Sequence, residues 1–99
     1  MTYAIVFDIP GSVDLYRAAH AQFQQHPTGG LVLHVARPTD DGVQVVEVWT
    51  SAEAFQEWME TYAGPAMGAL AAAGWDFPPV APTPFEPVGV VVPAADISV

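Results

Sequence analysis

The stretch that decides the fold is Leu31–Thr50, which reads LVLHVARPTDDGVQVVEVWT. Two runs rich in β-branched residues flank the sequence Asp40-Asp41-Gly42. Aspartate followed by glycine between two apolar runs is a strong short-range signal of a β-hairpin. We therefore predict two antiparallel strands joined by this turn.

The pairing of these strands brings a histidine close to a carboxylate. If the turn centres on its two aspartates, His34 lies opposite Glu47. If it centres on the second aspartate and the glycine, His34 lies opposite Trp49 and diagonal to Glu47. Side chains alternate between the faces of a sheet, so the three residues share one face in either register.

Both faces of the predicted hairpin are apolar, apart from this polar pair. One face carries Leu31, Leu33, Val35, Val46 and Val48, and the other carries Val32, Ala36, Val43, Val45 and Trp49. An antiparallel sheet with one wet face would alternate apolar and polar residues instead. We expect helices to cover one face and a second copy of the chain to cover the other, which predicts a homodimer through the sheet.

Before the hairpin, the sequence predicts a strand and a helix. The strand spans Tyr3–Ile9 and ends at Pro10-Gly11. Ser12 is a good N-cap for a helix that continues to about Gln25. Its buried stripe follows the helical period and consists of Val13, Tyr16, His20 and Phe23.

After the hairpin, Thr50 and Glu53 form a capping-box pattern that opens a second helix. Its buried stripe consists of Phe55, Trp58, Met59 and Tyr62. Gly64-Pro65 interrupts this helix, which resumes as a shorter one through Ala73.

The C-terminal part is rich in proline. The passage Pro78–Pro87 is excluded from a helix or a central strand. Val88–Val92 is predicted to be the last strand, and the tail 93–99 is apolar enough to contact a partner. The order βαββαβ predicts one α+β domain over residues 1–99 with a ferredoxin-like fold. In this fold strands one and two flank strand three, strand four is outermost, and two helices cover one face of the sheet.

Composition narrows the functional classes. The 99 residues are 52% hydrophobic, with a net charge of −9, two arginines, no lysine and no cysteine. Nucleic acid and anionic membranes require basic patches that this chain cannot build. The absence of a basic, apolar leader and of a membrane-length apolar run predicts a cytoplasmic protein. The high content of Ala, Val, Pro and Gly indicates a bacterial source whose genome has a high GC content.

The passage VVEVWTSAEAFQEWMETYAGPAM, residues 45–67, resembles the dimeric α/β-barrel superfamily, and within it the antibiotic-biosynthesis-monooxygenase-like group. The similar pattern is Glu-x-Trp/Tyr, a polar cap and an amphipathic helix, filled here by Glu47, Trp49, Ser51 and Phe55. The resemblance implies a dimer with a pocket between sheet and helices, into which Glu47, Trp49 and the first strand face. It also implies activities such as cofactor-free oxygenation of aromatic polyketides, polyketide cyclisation or haem degradation.

The chain departs from this group at two positions. Many active members have a histidine on the second helix where this sequence has Trp58. In cyclases a histidine follows a Pro-Ala pair, whereas Met67 follows Pro65-Ala66 here. These departures disfavour haem degradation and an inherited cyclase mechanism.

The remaining candidate for chemistry is the pair of His34 and Glu47. A carboxylate that accepts a hydrogen bond from one ring nitrogen holds the imidazole in one tautomer, and the other nitrogen can then act as a general base. Further residues are expected to bind a flat, apolar substrate. They are Tyr3, Phe7, Tyr16, His20, Trp49, Phe55, Trp58, Tyr62 and Met67.

Two classes of function therefore remain open. One is a small enzyme that uses no cofactor, with His34 as base and Glu47 as its orienting partner. The other is a non-catalytic dimeric module for ligand binding or assembly, in which the two side chains only satisfy each other. No metal site is predicted, because the histidines and carboxylates show no metal-ligand spacing.

Overall fold

The computed structural model describes residues 2–95 and 97–98, without the side chain of Ala95. Four strands form an antiparallel sheet in the order β2-β3-β1-β4. These strands are β1 (Tyr3–Pro10), β2 (Leu31–Pro38), β3 (Gly42–Trp49) and β4 (Thr83–Phe85). The helices are α1 (Val13–Phe23), α2 (Ala52–Trp58) and α3 (Gly64–Ala72). The sheet order confirms the predicted ferredoxin-like fold.

The hairpin of β2 and β3 adopts the first of the two predicted registers. His34 pairs directly with Glu47, and the turn is centred on the two aspartates. The amide of Gly42 donates to the hydroxyl of Thr39 at 3.1 Å, and the amide of Thr39 donates to the carbonyl of Gly42 at 2.8 Å. These bonds close the turn and fix which residues of the two strands face each other.

An irregularity at the start of β2 changes which residues face the helices. Leu31 pairs with Trp49 and Leu33 with Val48, so Val32 is an extra residue between them. Leu31 consequently lies on the helix-covered face, while Val32 packs with Ala4 on the opposite face. The prediction from strict alternation was wrong for Leu31 and Val32, because a bulge shifts the alternation by one residue.

The first helix begins where the sequence predicted. The hydroxyl of Ser12 accepts a hydrogen bond from the amide of Leu15 at 3.2 Å. The helix ends at Phe23, two residues before the predicted end. Its buried residues are Leu15 and Ala19, and the helix packs against α3 and β3.

The second helical segment is capped by a different residue from the predicted one. Ser51, not Thr50, accepts a hydrogen bond from the amide of Ala54 at 3.0 Å. The segment runs through α2, a π-helical turn (Met59–Ala63) and α3 without a break at Gly64-Pro65. Pro65 has no amide hydrogen, and it lies at the junction where the π-helical turn passes into α3.

The last strand of the sheet is not where it was predicted. β4 lies inside the proline-rich passage and pairs with β1, with Pro84 opposite Ile5. A proline fits there because β4 is at the sheet edge, where its missing amide breaks no further pairing. Val91–Val92 (β5) instead pairs with Ile97–Ser98 (β6).

This C-terminal hairpin covers part of the sheet face opposite the helices. Val90 is buried against Ala4 and Val48, and Val92 and Ile97 pack on the same cluster. The predicted tail therefore contacts its own sheet, although Asp96 and Val99 lie outside the described residues.

The rest of that face is open. Val6 and Val46 are half-buried, while Leu33 and Val35 are 39% and 50% exposed. An apolar strip of this kind on a sheet is typical of a surface that is covered in an assembly. No helix within the described residues is long and apolar enough to cross a membrane.

Candidate functional site

A cavity of about 490 Å³ lies between the inner face of the sheet and the helices. Cavities of this size accommodate small organic molecules. Nine of the eleven residues that the sequence suggested as site residues line it. They are Phe7, Tyr16, His20, His34, Glu47, Trp49, Phe55, Trp58 and Met67.

The other two suggested residues lie elsewhere. The ring of Tyr3 packs against Phe55, with 5.6 Å between centroids, and the cavity wall does not include it. Tyr62 stacks on His26 at 5.3 Å and lines a separate depression of about 200 Å³, which also touches Trp58.

The cavity wall includes residues that the sequence analysis did not select. They are Ile9, Ala19, Phe23, Gln24, Thr28, Leu31, Val45, Met59, Ala63, Phe77, Pro78, Pro79, Val80 and Pro82. Ile9 and Val45 could have been found by alternation from Phe7 and Glu47. The segment 77–82 could not, because an irregular chain has no periodicity that indicates which side faces inward.

The carboxylate of Glu47 is held by two donors on the sheet. Its Oε2 lies 2.7 Å from Nδ1 of His34, and its Oε1 accepts a hydrogen bond from the indole of Trp49 at 3.1 Å. The side chains of His34 and Glu47 are only 21% and 13% exposed. Cross-strand pairing supplies the first contact, and the two-residue spacing on one face of β3 supplies the second.

The first helix adds a tyrosine and a second histidine to this pair. The hydroxyl of Tyr16 lies 2.7 Å from Nε2 of His34 and 3.3 Å from Nδ1 of His20. Tyr16 and His20 are four residues apart on α1 and therefore lie on the same side of the helix. Glu47, His34, Tyr16 and His20 together form a continuous chain of hydrogen bonds, which we call the polar chain.

The protons in the polar chain can be assigned from its acceptors. With Glu47 ionised, Nδ1 of His34 carries the proton that Oε2 accepts. Nε2 of a neutral His34 then accepts from the hydroxyl of Tyr16. That hydroxyl has a single proton, so its contact with His20 requires the Nδ1–H of His20 to donate to the tyrosine oxygen.

The surroundings shift the pKa values of two members of the polar chain. Burial, followed by the charge of Glu47, raises the pKa of Tyr16 above its ordinary value of 10.0. Burial, followed by the neighbouring His34, lowers the pKa of His20 below 6.5. Tyr16 is therefore a neutral hydroxyl and His20 a neutral imidazole at pH 7.

Aromatic side chains form much of the remaining wall. The ring of Trp49 meets Phe55 edge-on, with 5.5 Å between centroids, and lies 6.0 Å from Trp58. The indole of Trp58 donates to the carbonyl of Pro27 at 3.0 Å, which fixes its orientation. The cavity thus combines one polar corner with apolar walls.

Within the described residues, no group of three or more histidine, cysteine, aspartate or glutamate side chains is arranged to hold a metal ion. Both ring nitrogens of His34 are occupied by hydrogen bonds. The polar corner is therefore a set of side chains joined by hydrogen bonds, in which each nitrogen of His34 already has a partner.

Comparison with known proteins relates this chain to others through its three-dimensional structure. No family model matches the sequence, and no curated protein resembles it closely enough to be matched. SnoaB of Streptomyces nogalater, a cofactor-independent oxygenase, superimposes with a TM-score of 0.52 at 22% identity, over 87% of this chain and 90% of its own.

Two solved structures from Mycobacterium tuberculosis are also similar. The haem degrader MhuD superimposes with a TM-score of 0.59 at 26% identity, covering 91% of this chain and 99% of its own. The protein Rv0793 has a TM-score of 0.52 at 22% identity, over 88% and 94% of the two chains. This chain thus has the ferredoxin-like fold of the dimeric α/β-barrel superfamily and of its antibiotic-biosynthesis-monooxygenase-like group.

Proposed function

We propose that this protein is a cofactor-independent enzyme of the oxygenase type, in which His34 and Glu47 remove a proton from a flat, hydrophobic small molecule. The observation that carries the proposal is the polar chain at one corner of a mostly apolar cavity. The similarity of the fold to the cofactor-independent oxygenase SnoaB supports it.

His34 is suited to the role of base because its partner is fixed. Glu47 accepts from Nδ1 at 2.7 Å and is itself held by Trp49, so the imidazole is kept in the tautomer whose Nε2 is basic. When His34 takes up a proton, the adjacent carboxylate stabilises the imidazolium. Removing a proton from an electron-rich aromatic leaves a carbanion that can reduce oxygen directly.

The charges around the cavity define the class of substrate. The chain has only two cationic side chains, Arg17 and Arg37, and neither lines the cavity. The one carboxylate on the wall, together with a net charge of −9, would repel an anion. We therefore propose an uncharged substrate with one acidic C–H or phenolic O–H, and not a carboxylate, a phosphate or a thioester of coenzyme A.

The haem-binding position that the resemblance implies is not repeated in this wall. The position on the second helix at which the resemblance places a histidine is occupied by Trp58, whose indole has no lone pair to offer to iron. The indole N–H is also committed to the carbonyl of Pro27. The proposed reaction therefore uses no haem.

We also propose that two copies of the chain associate through the open part of the sheet. Leu33, Val35 and the half-buried Val6 and Val46 form an apolar strip there that the C-terminal hairpin leaves uncovered. Burying it against a second copy would remove the strip from water.

The test of the catalytic proposal is proton exchange at a carbon acid. Anthrone is a suitable probe because it is flat and uncharged and has one acidic methylene group. In D₂O, we expect the wild-type protein to accelerate loss of the methylene signal in proton NMR and to support oxygen uptake. His34→Asn should lower the exchange rate by about 10²–10⁴-fold, the usual contribution of a general base.

His26→Asn is the matched control, because His26 stacks on Tyr62 and does not line the cavity. It should exchange at the wild-type rate. A His34→Asn variant that retains wild-type exchange would overturn the role of His34. If a panel of flat carbon acids binds but none of them exchanges its C–H proton, the alternative of a non-catalytic ligand-binding module is correct.

A further inference from the structure

We infer that His20, and not His34, is the group that meets the substrate, and that Tyr16 relays the proton from His20 to the pair of His34 and Glu47. The inference rests on the proposed function, since it identifies the atom through which the base of that reaction acts. It follows from the order of groups in the polar chain.

Neither nitrogen of His34 is free to meet a substrate. Nδ1 is bonded to Glu47 at 2.7 Å, and Nε2 is covered by the hydroxyl of Tyr16 at 2.7 Å. A substrate proton can reach Nε2 directly only if the shorter of the two contacts of Tyr16 is broken. A relay through Tyr16 leaves both contacts in place.

His20 has the free nitrogen that His34 lacks. Its Nδ1 is directed at Tyr16, and its Nε2 has no hydrogen-bond partner among the described residues. In the same part of the chain, no side-chain nitrogen or oxygen is both buried and unpartnered, so this Nε2 is accessible. His20 lines the cavity, and we infer that Nε2 is the atom that a bound molecule meets.

The proton count of the relay is balanced. The substrate C–H or O–H bond breaks, its electron pair stays on the substrate, and the proton binds Nε2 of His20. The Nδ1 proton of His20 passes to the oxygen of Tyr16, and the hydroxyl proton of Tyr16 passes to Nε2 of His34. His20 ends as the neutral tautomer with the proton on Nε2, Tyr16 is a hydroxyl again, and His34 is an imidazolium.

This order of transfer places the positive charge where the site can stabilise it. The imidazolium of His34 lies beside the carboxylate of Glu47, at the end of the chain farther from the substrate. The cation of His20 is disfavoured by burial and by His34, so His20 transmits the proton without retaining the charge. Its new Nε2–H can donate a hydrogen bond to the substrate anion.

The inference is tested first without any substrate. In protein labelled with ¹⁵N at histidine, long-range proton–nitrogen NMR at about pH 8 distinguishes the two neutral tautomers. We expect both His20 and His34 to carry their proton on Nδ1, and we expect Tyr16→Phe to shift the Nε2 resonance of His34 and the Nδ1 resonance of His20. A His20 that carries its proton on Nε2 overturns the relay.

The second test measures exchange of anthrone in D₂O with His20→Asn. Asparagine can still donate to Tyr16 but cannot accept a proton, so we expect a loss of about 10²-fold or more, similar to that of His34→Asn. Wild-type exchange by His20→Asn together with loss in His34→Asn would overturn the relay and leave His34 as the direct base. Wild-type exchange by His34→Asn would instead overturn the proposed function.

Discussion

Glu47 is the residue that orients the polar chain, because each of its carboxylate oxygens accepts a different hydrogen bond. We expect Glu47→Gln to disrupt this arrangement, since an amide group would present a donor to either the Nδ1–H of His34 or the indole of Trp49. Two donors facing each other leave one of them unsatisfied, at a cost of about 1–3 kcal/mol. Urea unfolding should show this loss, and the exchange rate of anthrone should fall with it.

Glu60→Gln is the control for that substitution. Glu60 is exposed, and its side chain makes no hydrogen bond among the described residues, so removing its charge should change stability by less than about 0.5 kcal/mol. Equal stability of Glu47→Gln and wild type would show that the carboxylate does not fix His34.

His20 makes the stability of the protein depend on pH. Its pKa is lowered in the folded protein, by burial first and then by His34, relative to the ordinary value of 6.5. The unfolded chain therefore binds the proton more readily, and stability that is fully present above pH 6.5 is lost as pH falls towards the lowered pKa. We expect the loss between pH 7.5 and 5.5 to be smaller in His20→Asn. An identical pH profile for the two proteins would contradict this.

At the scale of elements, the start of α2 depends on a serine. Ser51→Ala should destabilise the protein by about 1 kcal/mol, because the amide of Ala54 loses its acceptor. Thr50→Ala is the matched control and should have a much smaller effect. Thermal unfolding of the two variants measures the difference in stability. A larger loss of stability for Thr50→Ala would show that Thr50, as the capping-box pattern predicted, is the cap.

The elements also show which features can be predicted from a sequence. The hairpin, the cap at Ser12 and the shared face of His34 and Glu47 depend on local patterns, and local patterns predicted them. Those patterns left two registers open, and the structure has the one that pairs His34 with Glu47. Leu31 and Val32 lie on the faces opposite to those predicted because of one extra residue in β2. That extra residue cannot be recognised in the apolar pattern of the sequence. The position of β4 depends on which segment reaches the free edge of β1, and proline content pointed away from the segment that does.

The candidate site could be predicted in part for the same reason. His34, Glu47 and Trp49 share a strand face, and Tyr16 and His20 share a helix face, so periodicity grouped each set. The hydrogen bond between Tyr16 and His34 connects the helix residues to the strand residues. Its formation depends on how α1 packs on the sheet. Periodicity within one element does not contain that information.

At the scale of the whole molecule, the apolar strip on the sheet should determine the oligomeric state. The chain mass is 10.5 kDa, so light scattering after gel filtration should give about 21 kDa for a dimer. Val35→Lys places a charge in the strip and should yield the single-chain mass, because a buried, unpaired ammonium group is strongly unfavourable. Val88→Lys, in an exposed loop, should remain dimeric. A Val35→Lys variant with the wild-type mass would exclude this interface.

Trp49, which donates a hydrogen bond to Glu47, also allows the site to be followed by intrinsic fluorescence. The indole is 2% exposed, donates to the carboxylate and stands 6.0 Å from a second indole, Trp58, whereas Trp75 is 38% exposed. Emission from Trp49 is therefore expected at shorter wavelength than that from Trp75, and a molecule that enters the cavity would quench it. The protein consequently carries its own fluorescent reporter, with which a library of candidate ligands can be screened without a label and before any reaction is known.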